Sequence, residues 1–392
     1  MNKSFIYALA LSACMFTMAS CDDDDDDDVV VDNETTDESV IEDGTTLQGT
    51  ITSDVTLEAG NTYYLSGEYI VEDGATLNIE EGVTIISIYD DIVDYILIKQ
   101  GGKINAQGTA SQPIVMTSEL EEPGAWGGIH ICGKAATNAE GGQGNSEIGG
   151  ATYGGDDDDD NSGVLSYVRV EYTGYAFDEE HEANGITFYG VGSGTTVNHC
   201  EAYMGNDDGF EWFGGSVNVS YMVVVSCADD SFDWTEGWSG TGSYMVAFQE
   251  SESTLGYDCD CLIEADNNEN DYQATPVSHP ILSNLILVGN NSEANTRGIR
   301  LRRGTEAEIT DAQVCGKSKC VTLESEETEN ALVDGTSILK GIEATTELVS
   351  ENGIYTNDDF EADGNETDAD LSYSSLDDII SECSWMSGNW VK

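Results

Sequence analysis

Positive charge is the scarcest commodity in this sequence. Thirteen Lys and Arg stand against 76 Asp and Glu in 392 residues, a formal charge of −63. Contacts to phosphate need cationic side chains that release counterions, so general nucleic-acid binding is excluded. Only 4 Pro and 4 His are present. No Cys-x-x-Cys or His-rich pattern points to zinc. Apolar runs beyond the first 20 residues are short, so no membrane span is expected in the body of the chain. No stretch before the C-terminal tail has a helical period. The 43 Gly fit many tight turns.

What remains is alternation. "GATLNIEEGVTI" and "GGKINAQGTASQPIVMTS" alternate apolar and polar residues, broken by Gly turns, in strand-length pieces. Strands without helices in a long chain leave a sandwich, barrel, propeller or solenoid. A repeated phrase decides. "DDGFEWFGG" and "DDSFDWTEG" place Asp208 and Asp230 22 residues apart (230 − 208), and "NGITFYG" opens at Asn184, 24 residues earlier (208 − 184). That interval is too short for a propeller blade and fits one coil of a right-handed, single-stranded parallel β-helix. At roughly 23 residues per coil, residues 45–345 make on the order of a dozen coils.

Alternation also assigns faces. Ile129 and Ile131, Ile186 and Phe188, Phe210 and Trp212, Phe232 and Trp234, and Ile299 and Leu301 are expected to point inward. His130, Thr187, Glu211, Asp233 and Arg300 form one outward column, with Cys132, Tyr189, Phe213, Thr235 and Arg302 in the next. His130 and His199 lack a matched nucleophile or ligand spacing and read as structural. Asn138 to Gly163, ending "GGDDDDDNSG", reads as a mobile acidic loop, and residues 346–392 as a C-terminal cap with a short helix at Leu376 to Ile380.

"GATLNIEEGVTI", "QGTASQPIVMTS", "PGAWGGIHICGKA", "GVGSGTTV" and the paired acidic phrases resemble Bacteroidota secreted and surface lipoproteins with the pectin-lyase-like β-helix. That resemblance implies fold and location and no established reaction. The N-terminus agrees with it. Lys3, the apolar Phe5 to Ala19 and "MASC" resemble a lipoprotein signal over residues 1–20, with Cys21 as the lipidated residue. "LSAC", ending at Cys14, is the alternative. Asp22 to Asp28 resembles the surface-export signal of such lipoproteins, opening an acidic disordered tether over 21–44. The implied location is the outer membrane, held by lipid and facing the cell exterior. Eight further Cys permit disulfides, and Cys315 and Cys320 bracket a loop that one bridge would close.

Chemistry centres on the outward acids. Glu211 and Asp233 on adjacent coils fall about 5 Å apart, the spacing of a retaining glycosidase pair. With Asp208 and Asp230 they also make an all-oxygen set suited to calcium. An acidic ladder screened by solvent is the plain alternative. Arg297, Arg300, Arg302 and Arg303 are either partners of nearby carboxylates or a dock for anionic sugar. Tyr189 and Phe213 either offer outward rings for sugar stacking or lie buried under the long loop. Polygalacturonases carry a Gly-His-Gly segment that is missing here. Pectate lyases place a base beside their acids, yet Asp233 and Arg300 are 67 residues apart (300 − 233), about three coils or roughly 14 Å. The reading is therefore a non-enzymatic surface protein that binds carbohydrate or another extracellular polymer, or serves a structural or adhesive role. The alternative is a polysaccharide lyase or glycoside hydrolase.

Overall fold

The structure, a computed structural model, describes residues 39–90, 92–177 and 182–392. The expected signal, Cys14, Cys21 and the Asp22 to Asp28 run lie outside the described residues. Apart from one small hairpin, the named strands join a single parallel sheet that winds into a β-helix. Strands of successive coils stack in register on three faces. The face that bears the outward acids runs through Tyr95–Ile98, Ile129–Cys132, Ile186–Tyr189, Phe210–Phe213, Phe232–Thr235, Ile263–Ala265, Arg297–Leu301 and Lys319–Leu323. It is called the wall below. No helix among the described residues is long and apolar enough to cross a membrane.

The inward assignments hold. All ten residues expected inside are at most 2% exposed and belong to one continuous core. Like stacks on like along that core: Phe210 lies 6.0 Å from Phe232, Phe188 lies 5.7 Å from Trp212, and Trp212 lies 4.5 Å from Trp238. Each coil buries only half of each ladder contact, so the neighbouring coil is needed to complete it.

Three expectations need correction. The tether was drawn to residue 44, yet Ser39–Ile41 is already a strand, paired with Val55–Leu57. The Asn138 to Gly163 insertion is ordered. Gly144–Asn145 pairs with Thr152–Tyr153, and Ile148, Ala151 and Tyr153 bury themselves against Tyr95, Leu97, Cys132 and Tyr189. Its apolar residues, diluted among Gly and Asp, find a hydrophobic patch on the wall. A coil was also missed: Ile263–Ala265 lies between Phe232–Thr235 and Arg297–Leu301, so Asp233 and Arg300 are two rungs apart, about 9.6 Å. Cys315 and Cys320 do not form the bridge that their spacing permits, and the eight described Cys are all thiols. Cys320 faces the central core while Cys315 faces a lateral cluster, so their sulfurs point into different compartments.

The tail caps the end and then does more. Val349–Ser350 and the bridge from Glu343 to Glu366 close the last coil. From Leu371 onward the chain runs back along a lateral face as a strap. The expected helix is present as Leu376–Glu382. Tyr373 hydroxyl meets Gln313, Trp385 packs on Tyr221 and Tyr244, and Trp390 packs on Tyr167 and His199. Asn389 N–H donates to the Ala110 carbonyl, and Lys392 reaches Glu171 and the rings of Tyr172 and Tyr203.

Under that strap lies a second ladder. The long strands bend at one register position, where the backbone takes positive φ at Tyr167, His199, Tyr221, Tyr244, Asn284, Asp311 and Gly341. Asn, Asp and Gly tolerate this region, whereas an aromatic residue there costs of order 1–3 kcal/mol. The rings offset that strain by stacking: Tyr167 on His199 at 4.3 Å, His199 on Tyr221 at 4.4 Å, and Tyr221 on Tyr244 at 5.0 Å.

Candidate functional site

Both outward columns form, the first with Glu264 as an added rung before Arg300 and the second as far as Thr235. His130, Thr187, Glu211, Asp233, Glu264 and Arg300 pair rung to rung, and so do Cys132, Tyr189, Phe213 and Thr235. Pointing away from the core does not make them exposed. Tyr189 is fully buried: Phe213 stacks on one side at 4.8 Å and Tyr153 of the inserted hairpin sits 5.1 Å away. Phe213 is half-buried in the same cluster. Neither ring is an open sugar platform. His130 is sealed with them and meets the Gly127 carbonyl through Nε2 at 2.7 Å. Burial pushes its pKa down to about 4, so it is neutral and structural.

The acids of the entering turns hold the coils together. Asp208 accepts from the Asp230 backbone N–H at 2.9 Å, and Asp230 in turn accepts from the Cys261 N–H at 2.6 Å. The repeated phrase thus hands one backbone hydrogen bond from each coil to the next. Glu211 accepts from the Asn184 amide at 2.6 Å. Asp233 keeps one buried oxygen, Oδ1, with no hydrogen-bond partner.

Charge is more concentrated here than the four predicted acids suggest. Asp207, Asp229, Asp260, Glu264 and Asp266 join Asp208, Glu211, Asp230 and Asp233 in mutual electrostatic contact. Burial, then the neighbouring carboxylates, hold the pKa values of Asp207, Asp208, Glu211, Asp230 and Asp233 well above the ordinary range. Asp229 is pushed up to about 6 for the same reasons. Asp207 and Asp229 are the first Asp of the two repeated phrases, whereas Glu264 lies on the coil that no repeated phrase marks.

At the far end of the ladder the charge is balanced. Glu264 accepts from Arg300 at 2.6 Å and also pairs with Arg302. Asp266 holds Arg302 at 2.6 Å and Arg303 at 2.8 Å, and Glu324 bridges Arg297 and Arg300. The arginine cluster is therefore an ion-pair network with its own carboxylates. The arginines are half-buried and their forks are engaged by these carboxylates, so they do not present a free anion dock.

Carboxylate oxygens of Asp208, Glu211 and Asp233 come within 4.8 Å of one another, and so do those of Asp230, Asp233 and Glu264. Asp233 belongs to both sets. Only oxygen donors are present, as calcium prefers, and the orphaned Asp233 Oδ1 supplies an oxygen that lacks a proton donor. The residues fit a hard divalent cation, whose charge would relieve their repulsion.

A family model described as a pectate-lyase like beta helix domain matches residues 49–391. No curated protein and no solved structure matches the chain.

Proposed function

The chain belongs to the family of pectate-lyase-like beta helix domains, and on that premise we propose that it is a lipid-anchored surface protein that binds extracellular carbohydrate or a similar polymer without cleaving it. The observation that carries this reading is the state of the wall. Its arginines are locked in ion pairs with Glu264, Asp266 and Glu324, and its rings lie beneath the inserted hairpin. A lyase needs a base that can reach the scissile bond, and these bases are held by carboxylates. The wall then serves stability, with calcium shared among Asp208, Glu211, Asp230 and Asp233.

Anchoring rests on the sequence around Cys21 and the acidic run after it, and mass spectrometry of the mature N-terminus tests it. An acylated Cys21 is expected. Incubating the protein with neutral and acidic glycans tests the binding claim. Retention without new reducing or unsaturated ends supports it. One observation favours the hydrolase reading: Glu211 and Asp233 are paired on adjacent rungs with carboxylate oxygens within 4.8 Å, close to the separation of a retaining acid and nucleophile. Glycan cleavage lost in Glu211→Gln or Asp233→Asn would establish that reading instead.

A further inference from the structure

The lateral ladder stops short. Tyr167, His199, Tyr221 and Tyr244 contribute four stacked rings, but the column continues through Asn284, Asp311 and Gly341, which have none. The strap covers the first rings with Trp390 and Trp385 and then leaves the ladder along its helix. Where the rings end and the strap leaves, a cavity of about 450 Å³ opens. Tyr244 and Trp385 stand at its aromatic end, with Asn284, Asp311, Glu343 and Glu382 around the rest. Tyr244 is 39% exposed; Tyr221 stacks on it from the preceding rung, and the register puts Asn284 at the rung that follows.

We infer that this cavity binds a neutral saccharide, with one pyranose ring seated on Tyr244 at the rung that Asn284 leaves empty. The inference rests on the polymer-binding reading above and gives it a place and a ligand class. A sugar ring has an apolar C–H face of the right breadth to continue a stack of rings, and its rim carries hydroxyl donors. Asp311, Glu343 and Glu382 offer carboxylate acceptors for those donors, and the Asn284 amide both donates and accepts. A few polar groups around an apolar face, in a cavity of this size, are the ordinary makings of a small-molecule site. A purely aromatic ligand would desolvate the carboxylates and give them no partner. A uronate or sulfated sugar would meet three like charges. Both are disfavoured against a neutral sugar.

Titration of the full chain with neutral gluco-, manno- and galacto-oligosaccharides, followed by tryptophan fluorescence and calorimetry, tests this. Oligogalacturonate serves as the anionic comparison. A neutral oligosaccharide is expected to bind and to perturb Trp385. Asn284→Tyr supplies the missing ring in a backbone conformation that Tyr221 and Tyr244 already adopt, so it should block binding while the protein still melts cooperatively. Tyr244→Ala should weaken binding by about tenfold or more, and it keeps the test open should Asn284→Tyr fail to fold. Equal binding by both variants would overturn the placement and leave polymer binding standing. Binding of oligogalacturonate alone would overturn the ligand class. Retention of neither glycan would overturn both this inference and the binding reading on which it rests.

Discussion

Two columns of this solenoid repeat one residue type on successive coils, and they face opposite problems. On the lateral face Tyr167, His199, Tyr221 and Tyr244 stack at 4.3 to 5.0 Å, and each added ring contributes a favourable contact. On the wall Glu211, Asp233 and Glu264 stack at the same strand spacing, and each added carboxylate adds repulsion. A solenoid turns every side chain into a neighbour of its own kind, so identical rungs stabilise only when the side chain attracts itself. The aromatic column tolerates strained backbone because its rings attract. The acidic column needs charge of the opposite sign: Arg300, its own next rung, with Arg302 beside it at one end, and protons or a cation along the rest.

The largest loss is expected in the core. Trp212→Ala should cost about 3–5 kcal/mol in chemical denaturation, because it leaves a void between Phe188, Phe232 and Trp238. Phe213→Ser, next to it but facing the hairpin, should cost less, about 2 kcal/mol. A larger loss at Phe213 would mean that the two faces are interchanged.

Proton linkage comes next. Without divalent cations the raised acids bind protons more tightly in the folded than in the unfolded chain. Their stabilising contribution is complete below the unfolded carboxylate pKa, about 4, and is lost as pH rises through the folded values. Asp229 marks the lower part of that window at about 6, and buried Glu201 extends it to about 8. Glu324 and Glu171, which are lowered, work in the opposite sense and lose their contribution as pH falls below the ordinary carboxylate range. In chelator, melting temperature should therefore fall from pH 5 to pH 8, and a flat profile would speak against burial of the acids. The smallest effect is expected in the aromatic column. Tyr221→Asn removes two stacking contacts but relaxes the backbone at positive φ, so the net loss should be about 1 kcal/mol.

Sequence revealed this architecture unevenly. Near-identical phrases at Asp208 and Asp230 made the coil interval and the inward ladder visible, because core residues must alternate. The coil at Ile263–Ala265 escaped because insertions stretch its intervals to 31 residues (263 − 232) and 36 residues (299 − 263). For Tyr189 the sequence leaves sugar stacking and burial under the loop open, and the structure shows burial. Alternation tells which residues leave the core, and only the folded hairpin shows that Tyr153 covers them. The lateral ladder had no local signal at all: Tyr or His at positive φ looks like any strand residue. Trp385 and Trp390 meet it from more than a hundred residues away, as no short-range pattern records.

Calorimetric melting with and without calcium decides whether a divalent cation completes the acidic wall. At a hundredfold excess over Kd, calcium should stabilise the native protein by about 2.7 kcal/mol. Asp208→Asn with Asp230→Asn keeps an acceptor oxygen for the Asp230 and Cys261 N–H groups, so the fold should survive while the calcium response disappears. Native protein that melts identically in calcium and in chelator would contradict the claim and leave protons alone to balance the wall.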